Sequence, residues 1–219
     1  MRFFVNQRAG ADAGAMLMAM GGSTEQGPAE SDQRPGAVRF LLLGSFEVWR
    51  DGQRLRVGSR PHRLVLAALL LQRGQAVSTS RLISVVWGED PPPTAAHQIH
   101  KIVAHLRQLL EPPKGLLLTE GSDYRIEVGP DQLDLDSFER QLARARAAGR
   151  NCTEAIAALW AAEELWRGPA LSGLDSEALQ TAAVVLDDRR LTAIEQLAAL
   201  STAPEHAVDL VGKLTALVA

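Results

Sequence analysis

The residues best equipped for chemistry lie between positions 94 and 111. Ile99, Val103, Leu106 and Leu110 recur at i, i+4, i+7 and i+11, so a helix there turns one apolar stripe toward a core. The opposite face carries His97, Lys101, Ala104, His105 and Gln108, with His100 and Arg107 at its flanks. No acidic side chain falls on that face. Cations suit phosphates, imidazole and amide groups reach base edges, and a small residue permits close approach. That mixture fits a helix lying in a groove of double-stranded DNA. An ordinary solvated helix would mix Glu among its Lys and Arg.

Other chemistry finds little support. His97 and His100 stand at i, i+3, but His105 is out of register with them and no carboxylate joins. Zinc needs three or four convergent ligands, so no metal or cofactor is expected. Gly212-Lys213 lacks the upstream glycine of a phosphate loop, and neither a G-x-S-x-G elbow nor an H-E-x-x-H pair occurs. The pairs Glu163-Glu164 and Asp187-Asp188, with arginines nearby, read as solvated helix faces. The chain is not expected to be an enzyme. Cys152, the only cysteine, excludes an internal disulfide and fits a reducing cytoplasm; it reads as a small residue beside a helix.

Around the central helix the sequence lays out the elements that must position it. Of 219 residues, 46% are apolar and 22% charged, ordinary usage for a folded chain. No apolar run approaches a membrane span. Residues 1–37, rich in Gly, Ser, Pro and Gln, read as a disordered tail. Val38–Leu43, Phe46–Arg50 and Gln53–Val57 read as strands of a small antiparallel sheet, with Asp51-Gly52 supplying a positive-φ hairpin turn. Pro61 suits the start of a helix that stops at Gly74, and Ser78, Thr79 or Ser80 caps a second that ends at Trp87-Gly88. The third, long helix follows Pro91-Pro92-Pro93-Thr94. Leu116–Thr119 and Tyr124–Val128 then flank Glu120-Gly121-Ser122-Asp123 as a terminal hairpin. Sheet, three helices and hairpin suit a winged helix-turn-helix over residues 38–130.

Beyond a linker at 131–136 the pattern is helical: Ser137 caps 138–148, Thr153 caps 154–166, Asp175 or Ser176 opens a helix to about Leu200, and Pro204 restarts one. This gives an α+β chain whose second, all-α half, residues 131–219, packs in a tetratricopeptide-like way. Trp87 and Trp49 are expected in the core, with Trp160 and Trp166 sealing the helical half. Charge divides likewise. Residues 38–130 hold 12 Lys/Arg against 8 Asp/Glu, while residues 131–219 hold 8 against 14 within a net charge of −3. A basic half beside an acidic half suits a polyanion-facing module joined to something else.

Leu82-Ile83-Ser84-Val85-Val86-Trp87-Gly88, then Pro91-Pro92 and the helix to Leu110, resemble the Streptomyces antibiotic regulatory protein family. Leu133-Asp134-Leu135-Asp136-Ser137-Phe138 and Leu165-Trp166-Arg167-Gly168-Pro169-Ala170-Leu171 are similar to that family's bacterial transcriptional activator domain. The resemblance implies an OmpR-type winged helix that binds direct repeats in promoters, often as tandem protomers, and helps RNA polymerase engage. It implies backbone contacts from Arg63, Arg81, Thr94, Arg107 and Lys114, and a wing tip at Gly121, Ser122 and Asp123. The family often has Arg or Lys where His105 stands and a glycine-rich tip where Ser122-Asp123 stands. The activator domain reads as truncated, so a DNA-binding competitor that does not activate is one alternative. A protein-interaction module is the other.

Overall fold

Asp51 and Gly52 close the first hairpin with φ of +50° and +73°, the left-handed pair that a two-residue hairpin turn demands. The computed structural model describes residues 37–111, 115–149 and 152–201. In it that turn joins β2 (Glu47–Arg50) to β3 (Gln53–Arg54), and β1 (Val38–Leu41) pairs antiparallel with β2. Phe40 stands opposite Val48, and both are fully buried, so one sheet face belongs to the core. The expected tail up to residue 36, Lys114, and the expected last helix from Pro204 lie outside the described residues.

Helix α1 (Arg60–Leu71) carries Pro61 in its first turn and buries every side chain from Leu64 to Leu70. A strand that the sequence reading lacks follows, β4 (Val77–Ser78); two residues are too short to show alternation. Ser78 also caps α2 (Thr79–Trp87), its hydroxyl accepting the Arg81 backbone N–H at 3.1 Å. α3 (Ala95–Leu110) comes next, and β5 (Leu117–Glu120) and β6 (Asp123–Ile126) form the terminal hairpin. The second sheet has the order β4-β6-β5, all antiparallel.

The helical half departs from expectation at its start. α4 (Asp134–Ala147) begins three residues before the expected Ser137 cap, so the linker at 131–136 is helix from Asp134 onward. Asp134 and Asp136 favour that first turn through the helix dipole. The Asp134 carboxylate is buried and accepts the Leu42 and Leu43 backbone N–H groups, each at 2.9 Å. α5 (Cys152–Glu163) stops short of Trp166, and α6 (Glu177–Leu200) closes the described chain.

Between α5 and α6, residues 164–176 run along the connection between β1 and β2. Arg167 and Leu171 donate backbone N–H groups to the Leu43 and Leu42 carbonyls, each at 2.9 Å, and Ser172 donates to Gly44 at 3.0 Å. One apolar core runs through both halves, from Phe40, Leu66 and Leu106 to Phe138, Trp166, Leu179 and Leu186.

Three tryptophans are less deeply placed than expected. Trp49, Trp87 and Trp160 are half-buried; Trp166 alone is buried, its ring edge-on to Phe138. Trp49 lies on the side of β2 away from the core, where its Nε1 donates to Glu47. Glu163 corrects the solvated-face reading: it is 4% exposed and paired with Arg190, whose guanidinium lies over the Trp166 ring. A helix facing a second helix layer leaves no solvated side at that position. Among the described residues no helix is long and apolar enough to cross a membrane.

Candidate nucleic-acid interface

α3 buries Ala95, Ile99, Ile102, Val103, Leu106 and Leu110 against α1 and α2. Its other side leaves His97, His100, Lys101, Ala104, His105 and Gln108 exposed. The structure therefore brings these six expected residues together on one outward strip, and no acidic residue interrupts α3. At its start the Gln98 amide donates to the Thr94 hydroxyl at 2.9 Å, fixing the first turn.

Two arginines lock the far end. Arg50 of β2 donates to the Leu109 carbonyl at 3.0 Å, satisfying a carbonyl of the last turn. Arg107 donates to the Leu117 carbonyl at 2.9 Å and to the Thr119 hydroxyl, so it ties α3 to β5. Two of its five N–H groups are thus engaged inside the protein. Arg63 is similarly occupied, donating to the Gly173 carbonyl at 3.1 Å.

The hairpin stands beside α3. His100 approaches the Tyr124 ring edge-on, centroids 6.4 Å apart. The tip, Gly121-Ser122, is exposed, and the Thr79 hydroxyl donates to the Ser122 carbonyl, pinning the tip to the start of α2. The tip offers an anion little charge. Arg125 is paired with Glu120 and Glu127, each at 2.9 Å, and Ser122 donates to the Asp123 carboxylate.

Among the described residues, the charged ends of Lys101, Arg81 and Arg56 make no hydrogen bond or ion pair with the protein. Lys101 and Arg81 were expected at the interface; Arg56, just before α1, was not. His62 was missed as well. It lies in the first turn of α1, 4.8 Å from the His105 ring, and its only signal in the sequence was the spacing Ser59-x-x-His62. Three or more metal-type ligands converge nowhere among the described residues.

A three-helix unit with an acid-free outward helix face, flanked by a hairpin and followed by three further helices, defines a winged-helix fold joined to a helical domain. The family model for the C-terminal domain of transcriptional regulatory proteins matches residues 52–126, and the bacterial transcriptional activator domain matches residues 133–219. The chain is 35% identical to the regulatory protein AfsR of Streptomyces coelicolor over 196 residues, which are 88% of this chain and 19% of that protein. It is 30% identical to the transcriptional regulator RedD of the same organism over 172 residues, 74% of this chain and 49% of RedD. A solved structure of Mycobacterium tuberculosis EmbR, in complex with a low-affinity phosphopeptide, superposes with a TM-score of 0.75 at 31% identity, over 83% of this chain and 50% of that one. The chain thus spans between about a fifth and a half of these relatives' length. It belongs to the Streptomyces antibiotic regulatory protein family, in which an OmpR-type winged helix is joined to a bacterial transcriptional activator domain.

Proposed function

We propose that this chain is a sequence-specific DNA-binding transcriptional regulator, an activator of secondary-metabolite genes that binds promoter direct repeats and aids RNA polymerase. The observation that carries the reading is the acid-free outward strip of α3, held at both ends by its neighbours. Lys101, Arg81, Arg56, Thr94 and Lys114 meet phosphates, and His97, His100, Ala104, His105 and Gln108 face base edges. Arg107, which holds α3 to β5, and Arg63, which holds α1 to the segment before α6, serve the fold rather than neutralise phosphate. The wing tip at Gly121, Ser122 and Asp123 contributes backbone N–H groups and a hydroxyl instead of charge. Copies of the chain associate on neighbouring repeats.

Selection of duplexes from a random pool, followed by salt titration on the selected site, tests this. A single motif should emerge, repeated in direct orientation, and Lys101→Ala should reduce the slope of log affinity against log salt by about one. An unstructured pool, together with an unchanged slope, rejects the reading.

A further inference from the structure

His62 lies outside the recognition helix, yet its ring rests on it. The side chain is half-buried in the first turn of α1, and its Nδ1 is 2.9 Å from the Ser59 hydroxyl. The His62 and His105 rings stand at 78° with centroids 4.8 Å apart, an edge-to-face contact. Gly58 leaves room for both. At its φ of +96° an added Cβ would lie 3.3 Å from His62 Cγ and 3.6 Å from His105 Nε2. The loop before α1, α1 itself and α3 thus converge on one imidazole pair.

Among the described residues, none of the groups that shift His62 is a carboxylate. On α1, Arg60 turns to the Val86 and Asp175 carbonyls and Arg63 to Gly173. The preceding loop supplies Ser59 and the cationic Arg56; α3 supplies Lys101 one turn before His105 and Gln108 one turn after. Burial, and then the charge of His105, hold the His62 imidazole below its ordinary titration range. Two imidazolium ions at this separation oppose each other. A phosphate beside the pair would offset that repulsion, so duplex binding favours protonation of the pair.

Building on the reading that α3 enters a DNA groove, we propose that His62 is a specificity-positioning residue: it fixes the orientation of the His105 ring at the base edge, and the pair makes DNA affinity depend on pH. The diagnostic quantity is the difference between variants. Phe at position 62 keeps the ring contact and removes the second charge. Ala removes both.

The test uses the full chain on its selected duplex and on single-base variants, from about pH 6 to pH 8, where imidazole titrates. His62→Ala and His105→Ala should each lose discrimination by about fivefold or more at one and the same base pair, and the double variant should lose no more than either single one. His62→Phe should keep the discrimination, while its rise in affinity on acidification is smaller than in the wild type, because one of the pair's two titrating rings is gone. Losses at different base pairs, unaltered discrimination in His62→Ala, or a His62→Phe profile superimposed on the wild type would overturn the inference. Circular dichroism confirms that each variant is folded, and His62→Phe carries the test should His62→Ala not fold. A wild type that selects no motif overturns the groove reading itself; one that does so with a Lys101-dependent salt slope leaves that reading standing whatever His62 does.

Discussion

The Ser176 hydroxyl donates to the Val85 carbonyl at 2.7 Å, fastening the residue before α6 to the last turn of α2. Carbonyls in that turn have no partner within the helix. Ser176 satisfies one and Arg60 reaches the next, at Val86. The helical half therefore completes a helix of the DNA-binding half. Ser176→Ala should leave the Val85 carbonyl buried and unpaired, lowering unfolding free energy by about 1 to 3 kcal/mol. Because one core spans both halves, urea unfolding followed by tryptophan fluorescence and by far-ultraviolet circular dichroism should give coincident curves. Two separated transitions would show that the halves unfold independently.

Asp134 makes the second fastening. Its carboxylate receives the Leu42 and Leu43 N–H groups and pairs with Arg167 at 3.1 Å, with 4% of its side chain exposed. Asp134→Ala should cost about 3 to 5 kcal/mol, since it strands two N–H groups and a partly covered cation. Burial raises the Asp134 carboxyl above its ordinary value, opposed by the Leu43 and Leu42 N–H groups and by Arg167. A group that holds its proton more tightly when folded stabilises the fold below its unfolded value, here 3.8, and loses that contribution as pH rises through the folded one. Measured against the non-titrating Asp134→Asn, wild-type stability should decline as pH climbs from about 4 toward neutrality. A difference growing with pH would mean that the hydrogen bonds and Arg167 outweigh burial.

Periodicity and turn chemistry made much of the fold legible. The α3 stripe, the Asp51-Gly52 turn and the Ser78 cap are local signals, and each element formed where its residues favoured it. What escaped was set by distant partners. Asp134 reads as a polar linker residue until Leu42, 92 positions away and just past β1, packs onto it, and Glu163 reads as solvated until Arg190 covers it. The outward strip of α3, from His97 to Gln108, was legible because one helix places it. His62 was not, because α1 and α3 meet only in three dimensions.

Arg107 shows the same limit at the candidate interface. By sequence it is a cation at the flank of a DNA-facing helix, suited to phosphate; in the fold it holds β5 through Leu117 and Thr119. Arg107→Ala should therefore weaken DNA binding while leaving the salt slope unchanged, in contrast to Lys101→Ala. Hydrogen exchange of the β5–β6 amides should quicken in the same variant, because local opening becomes easier. A slope reduced by about one, with unaltered exchange, would return Arg107 to the phosphate-contact role.

The pair between Glu163 and Arg190 tests whether the helical half is held by charge or by packing. Their side chains are 4% and 12% exposed, and the Arg190 guanidinium lies 4.9 Å from the centroid of the Trp166 ring. Removing Arg190 alone leaves a buried carboxylate without that partner, and Arg190→Ala should destabilise by about 3 to 5 kcal/mol. Arg190→Met combined with Glu163→Leu keeps the volume, the apolar cover of Trp166 and the helix propensity, and removes both charges together. That double variant should recover most of the loss in thermal or urea unfolding, because desolvating two ions opposes their attraction. Failure to recover, with each single variant as costly as the double, would show that the ion pair itself fixes how α5 meets α6.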